Sequence, residues 1–402
     1  MLKSILDYRF RTNPEYELVP LDRLAPEQRK TLRHLANNPD FYGILSPRKG
    51  GWNNIKAVSR GTALLLLTLT DPRGIPAHAR RRLADQYNLM LARLVLDGLL
   101  EMSREGRFVC GPEAYHLIYD DSPWNSTKGV LARLAREALE YAQALEVEDP
   151  CLLSGRLYSY NRVPLSPLWE RRFPGRAFVV RYLDLENGGT NRRLLGDSWE
   201  ETKLRSPPDA WFRWKARSNR TSEPKPQRTY KLYLSPRPEF VREAFRALVR
   251  VLAEVPAQHF KIANDAVGLL RPDKMVIYFW NFENLNEAAK RIVKRLNGCP
   301  VQGVPFTAGI SQDGLLSWGI DPAPENYAVT LREWESWRLW TTNLLATALL
   351  AAKRAKTNGI EPWRFATARL RLEGVDTDTW ASIDCFKRPT SLAGELPCLQ
   401  IL

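Results

Sequence analysis

Histidine, methionine and cysteine are scarce in this chain, at four, four and five residues among 402. The histidines (His34, His78, His116 and His259) are too dispersed to form a metal cluster. The cysteines (Cys110, Cys151, Cys299, Cys385 and Cys398) are odd in number, far apart and never spaced C-x-x-C. Neither a disulfide framework nor a zinc site is indicated, and the usage fits a reducing compartment. Long apolar stretches are also missing: runs such as Ala63–Leu67 fall far short of the roughly 20 residues needed to cross a bilayer. The N-terminus, MLKSILDYRFRTNPEYE, has no secretory apolar core. The expectation is a soluble, cytoplasmic protein with no membrane partner. Nucleotide and hydrolase motifs are absent as well: there is no G-x-x-x-x-G-K-[ST], no G-x-G-x-x-G after a strand, no G-x-S-x-G and no H-E-x-x-H. Acidic residues are outnumbered, 45 Asp and Glu against 59 Lys and Arg, which gives a net charge of +14. That excess calls for an acidic partner: nucleic acid, an anionic surface or a phosphorylated substrate. No RRM or KH signature accompanies it, which disfavours nucleic acid.

What is present describes an ordinary globular chain, 44% hydrophobic and 26% charged. At roughly 150 residues per domain the length suggests two or three domains. Residues 1–150 read as mainly helical. Helices are expected over Pro26–Asn37, over Ala77–Met102 with Leu83, Tyr87, Leu91, Leu94 and Val95 at helical spacing, and over Ser126–Glu146 with Ser126 as its cap. A short strand, Arg107–Cys110, after the second helix gives a winged-helix-like pattern, and the module is read as docking a partner or peptide. After the break at Glu148-Asp149-Pro150 the pattern turns to α+β. Ala177–Leu183 reads as a strand, as does Trp211–Trp214, and Ser218–Gln227 as a mobile loop. Strands are expected over Arg228–Ser235, His259–Ala263 and Lys274–Trp280. Helices are expected over Pro238–Val255, Asn284–Leu296 and Leu331–Lys356. The expected fold class is α+β: a helical domain over 1–150 and a mixed domain over 151–402 with a long C-terminal helix.

Three constellations carry chemistry. In Lys231-Leu232-Tyr233-Leu234-Ser235, residues two apart share a strand face, so Lys231, Tyr233 and Ser235 lie opposite the apolar Leu232 and Leu234. A Lys beside a Tyr there can make an anion site with a proton donor; the same pattern also fits a half-exposed strand with ordinary polar residues. Lys261 lies between Phe260 and Ile262, ahead of Arg271-Pro272-Asp273-Lys274. Desolvation and neighbouring positive charge would lower its pKa and prepare it as a general base, whereas a Lys with its head in water would do neither. Gly303-Val304-Pro305-Phe306-Thr307 and Ser317-Trp318-Gly319-Ile320-Asp321-Pro322 mark shaped loops that either line a cleft or are simply turns.

Over about 155–330 the sequence resembles the HopA-type effector family. The residues that carry the resemblance are Leu157-Tyr158-Ser159-Tyr160-Asn161-Arg162-Val163-Pro164-Leu165-Ser166-Pro167, Lys231-Leu232-Tyr233-Leu234, Phe260-Lys261-Ile262, Arg271-Pro272-Asp273-Lys274-Met275-Val276-Ile277-Tyr278-Phe279 and Val304-Pro305-Phe306-Thr307. Bacterial relatives of that family are the lyase partners in thioamitide and class V lanthipeptide biosynthesis, where a separate kinase-like protein phosphorylates the precursor peptide. The pattern is distantly similar to the phosphothreonine lyases of enteric pathogens. The resemblance implies that Lys261 abstracts a proton, that Lys231 matches the family's first Lys, that Arg271 binds phosphate and that Tyr278 is the Tyr of the following strand. It departs at Tyr233, which stands where the pathogen lyases carry their acid His. A second phosphate-binding Arg is left among Arg237, Arg332 and Arg338.

The function so implied is elimination of phosphate from phosphothreonine or phosphoserine in a ribosomally made precursor, giving dehydrobutyrine or dehydroalanine. Lys261 would act as base and Lys231 as a stabiliser of enolate-like charge or a phosphate ligand. Arg271 would grip the phosphate, and Tyr233 or Tyr278 would protonate the leaving oxygen. No metal or organic cofactor is expected. The implied partners are the phosphorylated precursor and the kinase-like protein. The alternative is a non-catalytic effector-type protein that binds a phosphoprotein or host partner through a basic cleft.

Overall fold

The computed structural model describes residues 2–32, 35, 38–49, 55–75, 84–120, 128–196, 198–202, 210–217, 228–322, 335–355 and 359–383. They form an α+β fold with four antiparallel sheets. In the first 120 residues, strands β1 (Arg9–Thr12), β2 (Tyr16–Pro20), β3 (Phe41–Pro47), β4 (Lys56–Ser59), β5 (Arg73–Gly74), β6 (Leu100–Arg104) and β7 (Arg107–Val109) make two small sheets, ordered β5-β1-β6-β7 and β2-β3-β4. Strand is therefore more abundant here than the sequence suggested. The helix expected over Ala77–Met102 is observed as Ala84–Leu96, with 76–83 outside the described residues. It stops because Gly98 takes φ +74°, which a left-handed turn allows glycine at little cost, and the chain then enters β6 instead of continuing as helix. Glu105 and Gly106, both at positive φ, turn β6 into β7, so the expected strand at Arg107 is the second arm of a hairpin.

The helix Val130–Ala144 buries Leu131, Ala138 and Ala142 as its spacing requires; its proposed cap, Ser126, lies outside the described residues. Pro150 opens the helix Pro150–Ser159, where the Asp149 carboxylate accepts from the Leu152 N–H. The segment Ala177–Leu183, expected as a strand, is instead helical over Arg176–Tyr182. Its buried positions are Val179 and Leu183, one helical turn apart, while Phe178 is exposed. Tertiary burial at a spacing of four overrides the β preference of its Val, Phe and Tyr.

A seven-stranded sheet organises the rest. Its strands are β8 (Trp199–Thr202), β9 (Trp211–Ala216), β10 (Tyr230–Leu234), β11 (His259–Ala263), β12 (Met275–Phe279), β13 (Ala308–Gly309) and β14 (Leu316–Ile320), in the order β13-β14-β10-β12-β11-β9-β8. Alternation gives the sheet two unlike faces. Leu232, Leu234, Phe260, Ile262, Ile277 and Phe279 are fully buried on one of them. Trp214 meets Phe245 of the helix Val241–Glu254 on this face, and Trp318 meets Phe282 of the helix Phe282–Arg295. Both helices present strongly amphipathic sequences, and the second is capped by Asn281 accepting from the Asn284 N–H. Burying each such aromatic or aliphatic side chain stabilises by roughly 1.5–3 kcal/mol before entropy is counted.

The long C-terminal helix is observed as Trp337–Ala355, with Trp334 outside the described residues; it packs on Pro150–Ser159 and on Pro362–Arg371. A short hairpin, β15 (Val375–Asp376) and β16 (Ala381–Ser382), follows. The apolar interior is contiguous from Ile5 to Ala381, and an ion network joins the early and late parts of the chain. In it Arg369 binds Asp97 at 2.5 and 2.8 Å and Glu373 at 2.7 Å, and Arg93 also grips Glu373. Burial would push the Asp97 carboxyl up, but Arg369, Lys56 and Arg93 prevail and hold it near 2. Among the described residues no helix is long and apolar enough to cross a membrane. The Ser218–Gln227 loop lies outside the described residues.

Candidate active site

The second face of the large sheet is polar, and strand register sets its composition. Lys231 on β10 is opposite Tyr278 on β12 and Gly319 on β14; Tyr233 is opposite Val276 and Ser317. Lys261 on β11 is opposite Val276 and, on β9, Arg213; His259 is opposite Tyr278 and Lys215. Directly opposed residues share a face. The structure therefore gathers four of the five candidate residues, Lys231, Tyr233, Lys261 and Tyr278, on one surface. Arg271, from the loop before β12, joins them through Trp211, whose ring lies 4.2 Å below Lys261 Nζ and 5.1 Å from the Arg271 guanidinium carbon.

Tyr278 is the hub of this face. Lys231 Nζ is 5.3 Å and Lys261 Nζ 5.9 Å from its ring centroid, and the His259 imidazole stacks on it at 3.8 Å with 19° between planes. Lys231 is buried and paired to Asp321 at 2.6 Å. Asp321 also accepts from the Trp337 backbone N–H at 3.0 Å, at the start of the long helix. Gly319 makes room for that helix: a Cβ there would fall 2.6 Å from Trp337 Cδ1. The indole cannot easily yield, because its Nε1–H donates to the Phe306 carbonyl at 2.9 Å.

A second layer sits over the sheet. Asp273 is buried and accepts both arms of Arg271, at 2.8 and 2.9 Å. It also accepts the Tyr158 hydroxyl at 2.9 Å and lies 3.0 Å from Arg338 Nη1. Arg338, 1% exposed, donates from Nη2 to the Tyr158 carbonyl, while its buried Nε has no hydrogen-bond partner among the described residues. Of the three candidates for a second phosphate-binding Arg, Arg338 thus joins the cluster and Arg332 lies outside the described residues. Arg237 sits at the start of the helical turn Pro238–Phe240.

Among the described residues Lys231, Lys261, Arg213, Arg271 and Arg338 cluster around two carboxylates, Asp273 and Asp321, with Lys215 and Glu200 on the same face toward the sheet edge. The electrostatic consequences are large. Burial lowers the Lys261 ammonium to about 7, with Arg213, Lys231 and Arg271 adding to the effect and Asp273 opposing it. Burial works against the Asp273 carboxylate, but Arg338, Arg271 and Lys261 hold it far below the usual range. Burial, with Asp321 next, raises the phenols of Tyr233 and Tyr278 well above 10. Tyr158 is pushed up to about 12 by burial and Asp273. Among the described residues no group of three or more His, Cys, Asp or Glu could hold a metal ion.

Sequence reasoning left Arg213, Trp211, Asp273, Asp321, Tyr158 and His259 without roles. Part of the signal was available. In Trp211-Phe212-Arg213-Trp214 the alternation separates Trp211 and Arg213 from the core pair, as it does His259 and Lys261 from Phe260 and Ile262. Which strands lie side by side was not available. Of the shaped loops, Val304 joins Tyr233 and Val276 in a small apolar cluster. Ala308, Gly309 and Trp318 line a separate cleft against the start of the helix Val130–Ala144, and none of the cations borders it.

No protein-family model matches the sequence, and no curated protein matches it. Among solved structures the chain is similar to an effector protein from Pseudomonas syringae pv. tomato strain DC3000, at 13% identity and a TM-score of 0.43 over 63% of this chain and 96% of that one. It is similar to an effector from Pseudomonas syringae pv. syringae strain 61, at 12% identity and 0.39 over 64% and 98%. It is also similar to the type III effector and phosphothreonine lyase OspF from Shigella flexneri, at 12% identity and 0.26 over 36% and 86%. Identity at this level leaves activity to be argued from the residues themselves.

Proposed function

We propose that the protein is a lyase that eliminates phosphate from phosphothreonine or phosphoserine in a ribosomally made precursor peptide, giving dehydrobutyrine or dehydroalanine. The observation that carries this reading is Lys261: an amine lowered to about 7 by burial, on a face where cations outnumber carboxylates. A neutral amine at physiological pH can remove a Cα proton, and the cations around it suit a dianionic leaving group.

In this reading the Lys261 amine takes the Cα proton as the Cβ–O bond to phosphate breaks. Lys231 leaves Asp321 to stabilise negative charge on the adjacent carbonyl oxygen. Arg271 and Arg338 turn from Asp273 to the phosphate, and Arg338 Nε, which has no hydrogen-bond partner among the described residues, supplies a further donor. Tyr233 and Tyr278 lie on the same face, but with raised pKa values they serve better as hydrogen-bond donors than as proton sources. A separate kinase-like protein installs the phosphate in the cytoplasm, and residues 1–150 engage that protein or the precursor. A full-length chain that retains neither on a column would remove this last part.

The two-armed bond from Arg271 to Asp273 favours a second reading, a non-catalytic effector-type protein whose arginines release Asp273 only to hold a phosphoprotein. One experiment separates the two. A phosphothreonine peptide is incubated with the protein and followed by mass spectrometry for loss of phosphoric acid. Wild type should give dehydrobutyrine at a rate that rises with pH through about 7, as the Lys261 amine loses its proton. Lys261→Ala and Lys261→Arg should give none, the second because guanidinium keeps its proton. Dehydrobutyrine from Lys261→Arg at the wild-type rate would end the lyase mechanism and leave the binding protein.

A further inference from the structure

We infer that His259 is the proton donor to the leaving phosphate, an assignment that rests on the lyase reading. Elimination needs a base at Cα and an acid at the bridging oxygen, and both must sit beside the same substrate residue. Lys261 and His259 are two apart on β11 and so share the polar face. Both meet the same ring: His259 stacks on Tyr278 at 3.8 Å, and Lys261 Nζ is 5.9 Å from its centroid. Lys231 and Tyr233 are buried, whereas His259, on the same face, is exposed and open to a phosphorylated side chain.

The charge around the imidazole explains how it would be armed. Loss of water on the ring face that stacks on Tyr278, with the positive charges of Lys231, Lys261, Arg213 and Lys215, lowers it to about 4, so it is neutral although its edge is exposed. The charged groups that act on it most strongly are all cations, one of which, Lys231, is paired to Asp321. A phosphate dianion brought among them reverses the local field and favours the imidazolium. His259 thus takes up its proton when substrate binds. The step balances. The Lys261 lone pair takes the Cα proton, those C–H electrons form the Cα=Cβ bond, and the Cβ–O electrons leave with phosphate. His259 N–H then supplies the proton that makes the product hydrogen phosphate. Lys261 ends protonated and His259 neutral, and solvent resets both.

The test uses two full-length substrates that give the same product. A phosphoserine peptide and an S-phosphocysteine peptide both yield dehydroalanine, but thiophosphate is the better leaving group and needs little help from an acid. On phosphoserine, His259→Gln should lose about 10²–10⁴-fold, the usual worth of general acid catalysis. On S-phosphocysteine it should lose less than tenfold. His259→Phe, which keeps a ring on Tyr278, should behave the same way and separates loss of the proton from loss of the stack. Equal losses on both peptides, or a near-wild-type rate on phosphoserine, would overturn the assignment while leaving the lyase reading in place. Wild-type protein that forms dehydroalanine from neither peptide and no dehydrobutyrine from a phosphothreonine peptide would overturn the lyase reading, and the role of His259 with it.

Discussion

Two clusters of buried charge stand out among the described residues, and their arithmetic differs. At the junction of the early and late chain, Arg93 and Arg369 meet Asp97 and Glu373, two cations with two carboxylates in short, mostly two-armed contacts. At the centre of the polar face of the large sheet, five cations among the described residues meet two carboxylates. The first cluster is neutral by count, although Arg369 Nη1 has no hydrogen-bond partner among the described residues, and its work is finished when the chain folds. Among the described residues the second holds more cation than carboxylate charge. An excess of buried charge of one sign is expensive, so a fold that keeps it suits a ligand of the opposite sign. Counting partners thus separates a structural network from a site more clearly than burial does.

The largest expected effect breaks the balanced cluster. Arg369→Ala leaves Asp97 and Glu373 buried without their shared partner and should cost about 3–5 kcal/mol, read as a shifted denaturation midpoint. A loss below about 1 kcal/mol would show that the network is solvated and the contrast false. The next effect probes the unbalanced cluster by its ligand. Arg271→Ala should weaken binding of a phosphopeptide by roughly tenfold or more, the worth of a charge-assisted bond of about 1.5–3 kcal/mol. The unphosphorylated peptide should lose far less, and equal losses would take Arg271 out of the phosphate site. The smallest effect has the opposite sign from the first. Lys261→Met should stabilise the ligand-free protein by about 1 kcal/mol, because it removes an uncompensated cation at the expense of activity. The sign follows from linkage: with a folded pKa near 7 against about 10.5 unfolded, the penalty is full below pH 7 and gone above pH 10.5. The gain should therefore shrink as pH rises through that window, and a destabilised Lys261→Met at pH 6 would contradict it.

Much of the sheet could be read from period-two alternation, since Lys231 with Tyr233 and Lys261 with its apolar neighbours announce their faces locally. The helices Val241–Glu254 and Phe282–Arg295 were legible for the same reason at a period of 3.6. What could not be read was adjacency. His259 belongs with Tyr278, and Arg213 with Lys261, only because β11 lies between β9 and β12. Nothing in a single sequence records such pairings. Asp273 was hidden differently. In Arg271-Pro272-Asp273-Lys274 it looks like a turn residue, and its hold on Arg338 spans 65 positions. Ala177–Leu183 was misread because its Val, Phe and Tyr favour strands, while the burial that decides the matter comes from distant parts of the fold.

Gly319 shows how far the influence of a site can extend into positions that carry no chemistry. One missing methyl lets the Trp337 indole lie against β14; the same residue's backbone N–H holds Asp321, and Asp321 holds Lys231. The side chain that gives way to any newcomer at 319 is thus two bonds of contact from the lysine. In a library of random variants sorted by activity, lesions should collect at this glycine as readily as at the charged residues. Directed evolution toward a new substrate would have to leave it alone, or rebuild the start of the long helix around it.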